Sequence, residues 1–301
     1  MSSINVQGIS KKFGEQLAVN NVSFDVEAGE IFGLLGPNGA GKTTTIRIIL
    51  DLFKSDTGKV DILGGSMDES KKNRIGYLPE ERGLYQDLQL ERCLVYLATL
   101  KGMTQTDAQR GVAKMIDEFD LGEARKKKMK ELSKGMQQKA QLITTLVHNP
   151  DVVIIDEPFS ALDPVNTQMV KDLLRNQRAL GKTIVMCTHQ MNQVEELCDR
   201  LVLIDKGSAM LYGTLDEVRR KFAKPALELA TPDPLPAQIA GVAEVERQNG
   251  SYILHIANGE TPQNILKALM AANIQIDKFE IALPTLDEIF IEVVKKQGSE
   301  A

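Results

Sequence analysis

Residues 36 to 44 read Gly-Pro-Asn-Gly-Ala-Gly-Lys-Thr-Thr, which fits the pattern G-x-x-x-x-G-K-[ST]. This pattern constrains the fold because it forms a loop between a buried strand and a helix. The segment 30–35 before it is apolar and bounded by glycine, and the segment 44–53 after it is rich in Ile and Leu without Pro or Gly. The sequence therefore predicts a strand–loop–helix unit whose backbone N–H groups bind phosphate groups.

The loop also carries two side chains with separate predicted roles. Lys42 is expected to reach the β- and γ-phosphates of a nucleotide, and the Thr43 hydroxyl is expected to bind Mg²⁺. A glycine-rich turn without a ligand is the alternative, which the flanking segments disfavour. The predicted phosphate-binding residues are Gly36, Pro37, Asn38, Gly39, Ala40, Gly41, Lys42, Thr43 and Thr44.

A second candidate feature is an apolar strand that ends in adjacent acids. Residues 152–155 read Val-Val-Ile-Ile and are followed by Asp156 and Glu157. Such acids could be a solvated strand end, but the upstream loop favours a functional role. Asp156 is then expected to hold Mg²⁺ directly or through water, and Glu157 to orient and deprotonate a water molecule.

A third segment, Leu132-Ser-Lys-Gly-Met-Gln-Gln-Lys139, comes before an apolar helical stretch. Ser133 can cap that helix, and Gly135 would let a phosphate group approach the backbone closely. An ordinary capped helix is the alternative. The segment lies about one helix length before the acidic strand, which favours the functional interpretation.

The chain divides unevenly. Residues 1–222 alternate short apolar strands with helical stretches, which is typical of an α/β fold. The proline-rich stretch 231–236 predicts a linker or loop. We predict a nucleotide-binding domain over 1–222 and a small α+β domain over 223–301. The elements predicted after the prolines are a strand at 251–256, a helix at 262–272, a strand at 274–281 and a helix at 286–296.

Composition restricts the partners. The net charge of −5 and the pI of about 5.5 disfavour nucleic acid. The three cysteines form no C-x-x-C pair, which favours a reducing cytoplasm. No apolar run reaches the length of a membrane span, and the alternating segment 1–14 lacks a signal-peptide core. Work at a membrane would therefore require a membrane-embedded partner.

The order of these motifs resembles that of the ATP-binding cassette (ABC) family, the ATPase subunits of ABC transporters. The resemblance covers residues 4–222. Phe13 matches the aromatic residue that stacks on adenine, and Gly76-Tyr-Leu-Pro-Glu80 matches the segment ending in the glutamine loop. Ser133–Gln137 matches the signature that contacts ATP on the opposite subunit. Ser160-Ala-Leu-Asp163 matches the segment that crosses the dimer, and His189 matches the switch histidine.

The resemblance implies a P-loop NTPase fold with a RecA-like core, an antiparallel β subdomain and a helical subdomain. It implies that ATP binds between two cassettes, identical or different. By this resemblance Ser133, Gly135 and Phe13 also bind the nucleotide. The implied metal-binding residues are Thr43, Asp156 and Glu80, and the implied catalytic residues are Glu157, His189 and Lys42.

Two positions depart from the family pattern. The signature usually reads Leu-Ser-Gly-Gly-Gln, whereas here Lys134 adds a positive charge and Met136 lacks an amide. Glu80 stands where the family usually has glutamine. Both variants and the tail 284–294 resemble the branch of bacterial sodium-efflux and drug-efflux ABC-2 exporters, in which a small C-terminal domain follows the cassette.

The leading hypothesis is an ATPase subunit on the cytoplasmic face of the cell membrane that drives a separate ABC-2 permease through ATP-dependent dimerisation. The surface near 80–92 would transmit the motion, and the basic run 125–130 is a solvated loop or a contact for a partner or anionic lipid. One alternative is a regulatory subunit that hydrolyses ATP weakly, which Glu157 and His189 disfavour. Another is a soluble ABC ATPase acting on ribosomes or DNA, which the acidic balance disfavours.

Overall fold

A six-stranded sheet of short apolar strands forms the centre of the first part of the chain. The computed structural model describes residues 2–80, 83–160, 162–248 and 250–298, with side chains through residue 295, and forms two compact units that divide after residue 215. In spatial order the strands are β5 (Ile75–Leu78), β6 (Val152–Asp156), β7 (Thr183–Thr188), β3 (Ile31–Leu35), β8 (Arg200–Asp205) and β9 (Ser208–Thr214).

The first five of these strands are parallel, and β9 joins the edge antiparallel to β8. Strands β3, β6 and β7 are buried at every position. Burial on both faces explains their continuous apolar sequences, because a central parallel strand has no solvent-facing side. The apolar strand predicted at 152–155 lies within β6.

A second, three-stranded sheet is antiparallel and has the order β2-β1-β4. Its strands are β1 (Ser2–Phe13), β2 (Gln16–Glu27) and β4 (Thr57–Ile62). Buried and exposed residues alternate along much of β1 and β2, as expected for strands with one face on a core. Ile4, Val22 and Phe24 pack in the same core as residues of the parallel sheet.

Some helices cover the parallel sheet, and three others form a group of their own. Helices α3 to α5 contact one another and form the helical subdomain. With the two sheets, this arrangement confirms the predicted ABC cassette fold. The helices are α1 (Lys42–Ile49), α2 (Glu69–Lys72), α3 (Leu90–Leu100), α4 (Gln105–Glu118), α5 (Lys134–Leu146), α6 (Pro164–Ala179) and α7 (Met191–Leu197).

Helix α1 ends earlier than the sequence pattern predicts. The Ile- and Leu-rich stretch suggested a helix to residue 53, but the helix ends at Ile49. Asp51 has a φ of +58°, in the left-handed region. The N–H groups of Leu52 and Phe53 both donate to the Arg47 carbonyl oxygen, at 2.8 and 3.1 Å, and so close the helix end.

The second unit is a small α+β structure with its own core. Its antiparallel sheet has the order β11-β12-β10-β13. Leu227, Leu254, Ile265 and Leu269 are fully buried between the sheet and α9. The elements are α8 (Leu215–Phe222), which begins at the division, β10 (Ala226–Ala230), β11 (Val242–Gln248), β12 (Ser251–Ile256), α9 (Pro262–Ala271), β13 (Lys278–Ile281) and α10 (Leu286–Gly298).

One sequence-based expectation for this unit needs correction, and one open alternative is decided. The strand predicted at 274–281 is shorter, because the Ile274 N–H closes the end of α9 on the Leu269 carbonyl oxygen and the Gln275 N–H donates to Asp233. The proline-rich stretch 231–236 lies between β10 and β11, so it is a loop inside the second unit and not a linker between units. The predicted domain boundary at residue 222 stays a prediction.

The last helix of this unit begins with reciprocal capping bonds. The Glu288 N–H donates to the Thr285 hydroxyl at 3.3 Å, and the Thr285 N–H donates to the Glu288 carboxylate at 2.9 Å. These reciprocal bonds form the capping box that begins α10. Among the residues with described structure, no helix is both long and apolar enough to cross a membrane.

His148 lies just beyond α5, and its Nε2 is 3.3 Å from the Ile75 carbonyl oxygen at the start of β5. Burial, with help from the nearby ammonium groups of Lys101 and Lys182, lowers the pKa of His148 to about 4. The neutral imidazole is therefore the form that the fold stabilises.

We expect the His148 site to make folding stability depend on pH. The folded pKa is about 4 and the usual value is 6.5, so the stabilisation is complete above pH 6.5 and is lost as the pH falls towards 4. Between pH 7 and 5 the wild type should lose about 2 kcal/mol more unfolding free energy than His148→Gln. Denaturant titrations at both pH values measure this, with His255→Gln as the control. Equal losses in wild type and His148→Gln would contradict the prediction.

Candidate functional site

The glycine-rich loop joins the end of β3 to the start of α1. Gly36 and Gly41 have φ values of +154° and +104°. A Cβ at Gly36 would lie 2.1 Å from the Ile204 carbonyl oxygen, and one at Gly41 would lie 2.3 Å from that of Ala18. Neither position has room for a side chain, so the loop conformation requires glycine at both.

The first turn of α1 is arranged for an anion. Gly41 occupies the N-cap position, so no side chain caps the helix. Phosphate oxygens are suitable partners for the first N–H groups of such a helix. Lys42 is only 7% exposed, and its Nζ donates to the carbonyl oxygens of Gly36 at 2.8 Å and Pro37 at 3.0 Å. These two carbonyl oxygens compensate the buried positive charge of Lys42. Phosphate oxygens could take the place of the carbonyls.

The candidate metal-binding residues Thr43 and Asp156 contact each other. The Thr43 hydroxyl donates to Asp156 Oδ2 at 3.0 Å, and Asp156 ends β6 almost fully buried. A hydroxyl and a carboxylate are hard oxygen donors, and Mg²⁺ in nucleotide sites commonly takes few protein ligands besides phosphate and water. The pair therefore fits Mg²⁺. Among the described residues no group of three or more His, Cys, Asp or Glu is suited to hold a metal.

Glu157 and His189 form a close pair. Glu157 is 6% exposed and has a φ of +51°, an uncommon conformation for a residue other than glycine. Its Oε1 lies 2.6 Å from His189 Nδ1 and accepts the His189 backbone N–H at 3.1 Å. Its Oε2 accepts the Thr188 hydroxyl at 3.3 Å. The carboxylate is thus fixed at the edge of the sheet, while the His189 side chain remains 47% exposed.

Two neutral groups lie close to Asp156. Burial, reinforced by the Asp156 carboxylate, raises the pKa of the Cys187 thiol well above its usual value. The same two causes raise the pKa of Tyr77 to about 12. Both groups stay protonated at neutral pH, so they add no negative charge to the pocket. Cys187 is fully buried and is a small side chain of the core.

Ser133 is the N-cap residue of α5, as the sequence predicted. The Met136 N–H donates to the Ser133 hydroxyl at 3.3 Å, and the Gln137 amide donates to the Met129 and Leu132 carbonyl oxygens at 3.1 and 3.2 Å. A Cβ at Gly135 would meet nothing within 4 Å, so the backbone there is accessible. The role of Ser133 and Gly135 toward a nucleotide stays a prediction.

The structure places two other predicted residues at the surface. Phe13 is 44% exposed at the end of β1, and its ring meets that of Phe53 with centroids 5.5 Å apart. Glu80 is exposed in the segment after β5, and no contact with Asp156 or Glu157 is seen among the described residues. Its assignment to the metal stays a prediction. Glu81, Arg82 and Ala161, which belong to the predicted 80–92 and 160–163 segments, lie outside the described residues.

Sequence reasoning missed two residues next to the site. Thr188 directly precedes His189 at the end of β7, so its hydroxyl could have been considered as a partner for a carboxylate. Phe53 was assigned only to the helix after the loop, and nothing in the local pattern indicates that its ring meets Phe13. Only the packing of the chain brings these two rings together.

Known proteins resemble this chain over most of its length. A family profile described as "ABC transporter" matches residues 19–160, and one described as "ATP-binding protein DrrA1-3-like, C-terminal domain" matches residues 213–294. A solved structure titled "Structure of ATP binding subunit of ABC transporter" matches with a TM-score of 0.69 and 32% identity, over 73% of this chain and 93% of that one.

The curated proteins similar to this chain are also named ATP-binding proteins. The chain is 39% identical to the uncharacterized ABC transporter ATP-binding protein YhaQ of Bacillus subtilis, over 97% of this chain and 98% of YhaQ. It is 35% identical to the Nod factor export ATP-binding protein I of Burkholderia orbicola, over 78% of each chain. It is 34% identical to the linearmycin resistance ATP-binding protein LnrL of Bacillus subtilis, over 70% of this chain and 69% of LnrL. With this similarity and the cassette fold together, the chain belongs to the family of ABC transporter ATP-binding proteins.

Proposed function

We propose that this protein is the ATP-binding and ATP-hydrolysing subunit of an ABC-type exporter. The observation that carries the proposal is the convergence of three arrangements at one edge of the parallel sheet. These are the glycine loop with Lys42, the Thr43–Asp156 pair, and the Glu157–His189 pair. Together they supply a phosphate cradle, a pair of metal-binding oxygens and a general base, which are the parts that ATP hydrolysis needs.

Each residue then has a defined task. When ATP binds, the Lys42 ammonium moves its hydrogen bonds from the loop carbonyls to the β- and γ-phosphate oxygens, and Thr43 and Asp156 would hold Mg²⁺. When bound, Mg²⁺ neutralises negative charge on the phosphates. Glu157 orients a water molecule and accepts its proton. His189 fixes the Glu157 carboxylate and adds a donor near the charge that develops on the γ-phosphate.

Binding of ATP would also join two cassettes. The exposed start of α5 offers the Ser133 hydroxyl and the open backbone at Gly135, and we propose that these contact the γ-phosphate of ATP held by the other subunit. Hydrolysis removes this contact and lets the dimer open. Closure is then a two-state equilibrium that ATP shifts, because ATP contacts both subunits only in the closed state.

The exporter part of the proposal rests on relatives. The names of two similar proteins refer to Nod factor export and to linearmycin resistance. By this similarity we propose a peripheral position at the cytoplasmic face of the membrane and a separate ABC-2 permease as the partner. The surface between residues 83 and 96, which exposes Tyr85, Arg92 and Tyr96, is the proposed contact with that permease.

Lys42→Ala tests the phosphate site. We expect ATP hydrolysis to fall roughly 10²-fold or more, because the charge on the β- and γ-phosphates is lost. Lys101→Ala is a matched control, since Lys101 Nζ likewise donates to two carbonyl oxygens, at 3.0 Å each, but away from the loop. ATPase rates of folded variants measure the effect. Wild-type turnover in Lys42→Ala would show that the loop does not bind the nucleotide.

Glu157→Gln tests the general base and dimer closure together. Turnover should fall roughly 10²- to 10⁴-fold because the base is lost, while ATP binding persists. The variant should therefore accumulate as a closed dimer in ATP and Mg²⁺, which size-exclusion chromatography detects. Glu30→Gln, a buried acid before the opposite end of β3, serves as the control. Slow turnover with a monomer at all ATP concentrations would contradict head-to-tail closure of identical cassettes.

Glu80→Gln tests the proposed third metal ligand. A carboxylate is a stronger oxygen donor for Mg²⁺ than a neutral amide, so the variant should need more Mg²⁺ for half-maximal turnover. Without metal, the substitution removes a negative charge near the triphosphate, and ATP should bind more easily. Titration of ATPase activity with Mg²⁺ and ATP binding in chelator measure both effects. Superimposable curves would place Glu80 outside the metal site.

A further inference from the structure

The segment 53–56, which follows α1, contacts the end of β1, where Phe13 lies. The Phe13 and Phe53 rings meet with centroids 5.5 Å apart and planes at 70°, an edge-to-face arrangement that aromatic pairs prefer. Phe13 is still 44% exposed, so part of its ring remains available to a ligand. Phe53 is half-buried against the core of the first unit. The exposed ring thus rests on one that the core holds.

Phe53 is itself fixed from two sides. Its N–H donates to the Arg47 carbonyl oxygen at 3.1 Å, which ties its backbone to the last turn of α1. The guanidinium of Arg47 lies 5.6 Å from the centroid of the Phe53 ring, within the range of a cation–π contact. The position of Phe53 is therefore set by the same helix that begins at the phosphate-binding loop.

Asp56 fixes the backbone next to Phe13. Its N–H donates to the Ser10 carbonyl oxygen at 2.8 Å. Its carboxylate accepts the Lys11 ammonium and the Lys12 backbone N–H, each at 2.7 Å. The Lys11 ammonium also lies 5.7 Å from the centroid of the Phe13 ring. The segment 53–56 thus holds both the chain that carries Phe13 and the ring itself.

We propose that Phe53 is a positioning residue for recognition of the purine base: it holds the Phe13 ring in the orientation in which the base stacks on it. An exposed phenylalanine without such a neighbour would sample several rotamers and lose that freedom on binding. Ordering the ring in advance lowers this cost and so strengthens binding. The inference rests on the proposed ATP-binding function and on the family resemblance, which implies that Phe13 stacks on adenine.

A consequence is that helix α1 and the segment after it position both the phosphates and the base of the nucleotide. The start of α1 provides the phosphate site, and the segment beyond its end positions the base through Phe53. The two contributions can be separated experimentally, because inorganic tripolyphosphate carries the phosphates without a base. A residue that acts through Phe13 should affect ATP and leave tripolyphosphate unchanged.

The test compares the affinities of ATP and tripolyphosphate by calorimetry for the full chain. Phe53→Ala and Phe53→Leu should weaken ATP binding roughly three- to tenfold and leave tripolyphosphate binding unchanged. Phe53→Leu fills most of the same space without an aromatic ring, so it separates loss of the ring from loss of the fold. Phe53→Tyr should restore ATP affinity. Phe279→Ala, which removes a ring from the core of the second unit, should change neither affinity.

A double-mutant cycle tests whether Phe53 acts through Phe13. In a Phe13→Ala background, Phe53→Ala should cause no further loss of ATP affinity. A full additional loss, an equal loss of ATP and tripolyphosphate affinity, or unchanged ATP affinity in both Phe53→Ala and Phe53→Leu would each overturn the proposal. Failure of the wild type to bind ATP at all would instead refute the proposed function, so the two failures are distinguishable.

Discussion

The parallel register of β3, β7 and β6 is the constraint on which the rest of the site depends. Leu35 pairs with Thr188, and Asp156 pairs with Cys187 on the other side of β7. The residues that directly follow these positions therefore leave the sheet at the same edge. That edge receives the glycine loop, Glu157 and His189 from segments far apart in the sequence. A slip of one residue in the β6–β7 pairing would turn the acids to the opposite face.

Buried charge at this edge would be costly without partners. Lys42 is compensated by loop carbonyls, Asp156 by the Thr43 hydroxyl, and Glu157 by donors from Thr188 and His189. Under the proposed function, phosphate oxygens would replace the loop carbonyls at Lys42, and a metal ion would join Thr43 and Asp156. These hydrogen bonds stabilise the charged side chains within the fold.

The two units bury their cores in different ways. The first unit buries a parallel sheet on both faces and carries every residue that we predict to bind the nucleotide. The second unit closes its own core between an antiparallel sheet and α9, around Leu254 and Ile265. In our proposal the first unit also positions the base, since α1 connects the phosphate loop to the ring that supports Phe13.

The fold class follows from local sequence patterns, because glycine spacing, continuous apolar strands and capping residues act locally. The loop 36–44, the acids after β6 and the cap at Ser133 all rest on such local rules, and the structure places each where the pattern predicts. Tertiary structure decided which side chains meet. The contact of Thr188 with Glu157 and that of Phe53 with Phe13 depend on the sheet register and on the early end of α1. No periodicity encodes such contacts, since they join segments whose separation in the chain is unrelated to their distance in space.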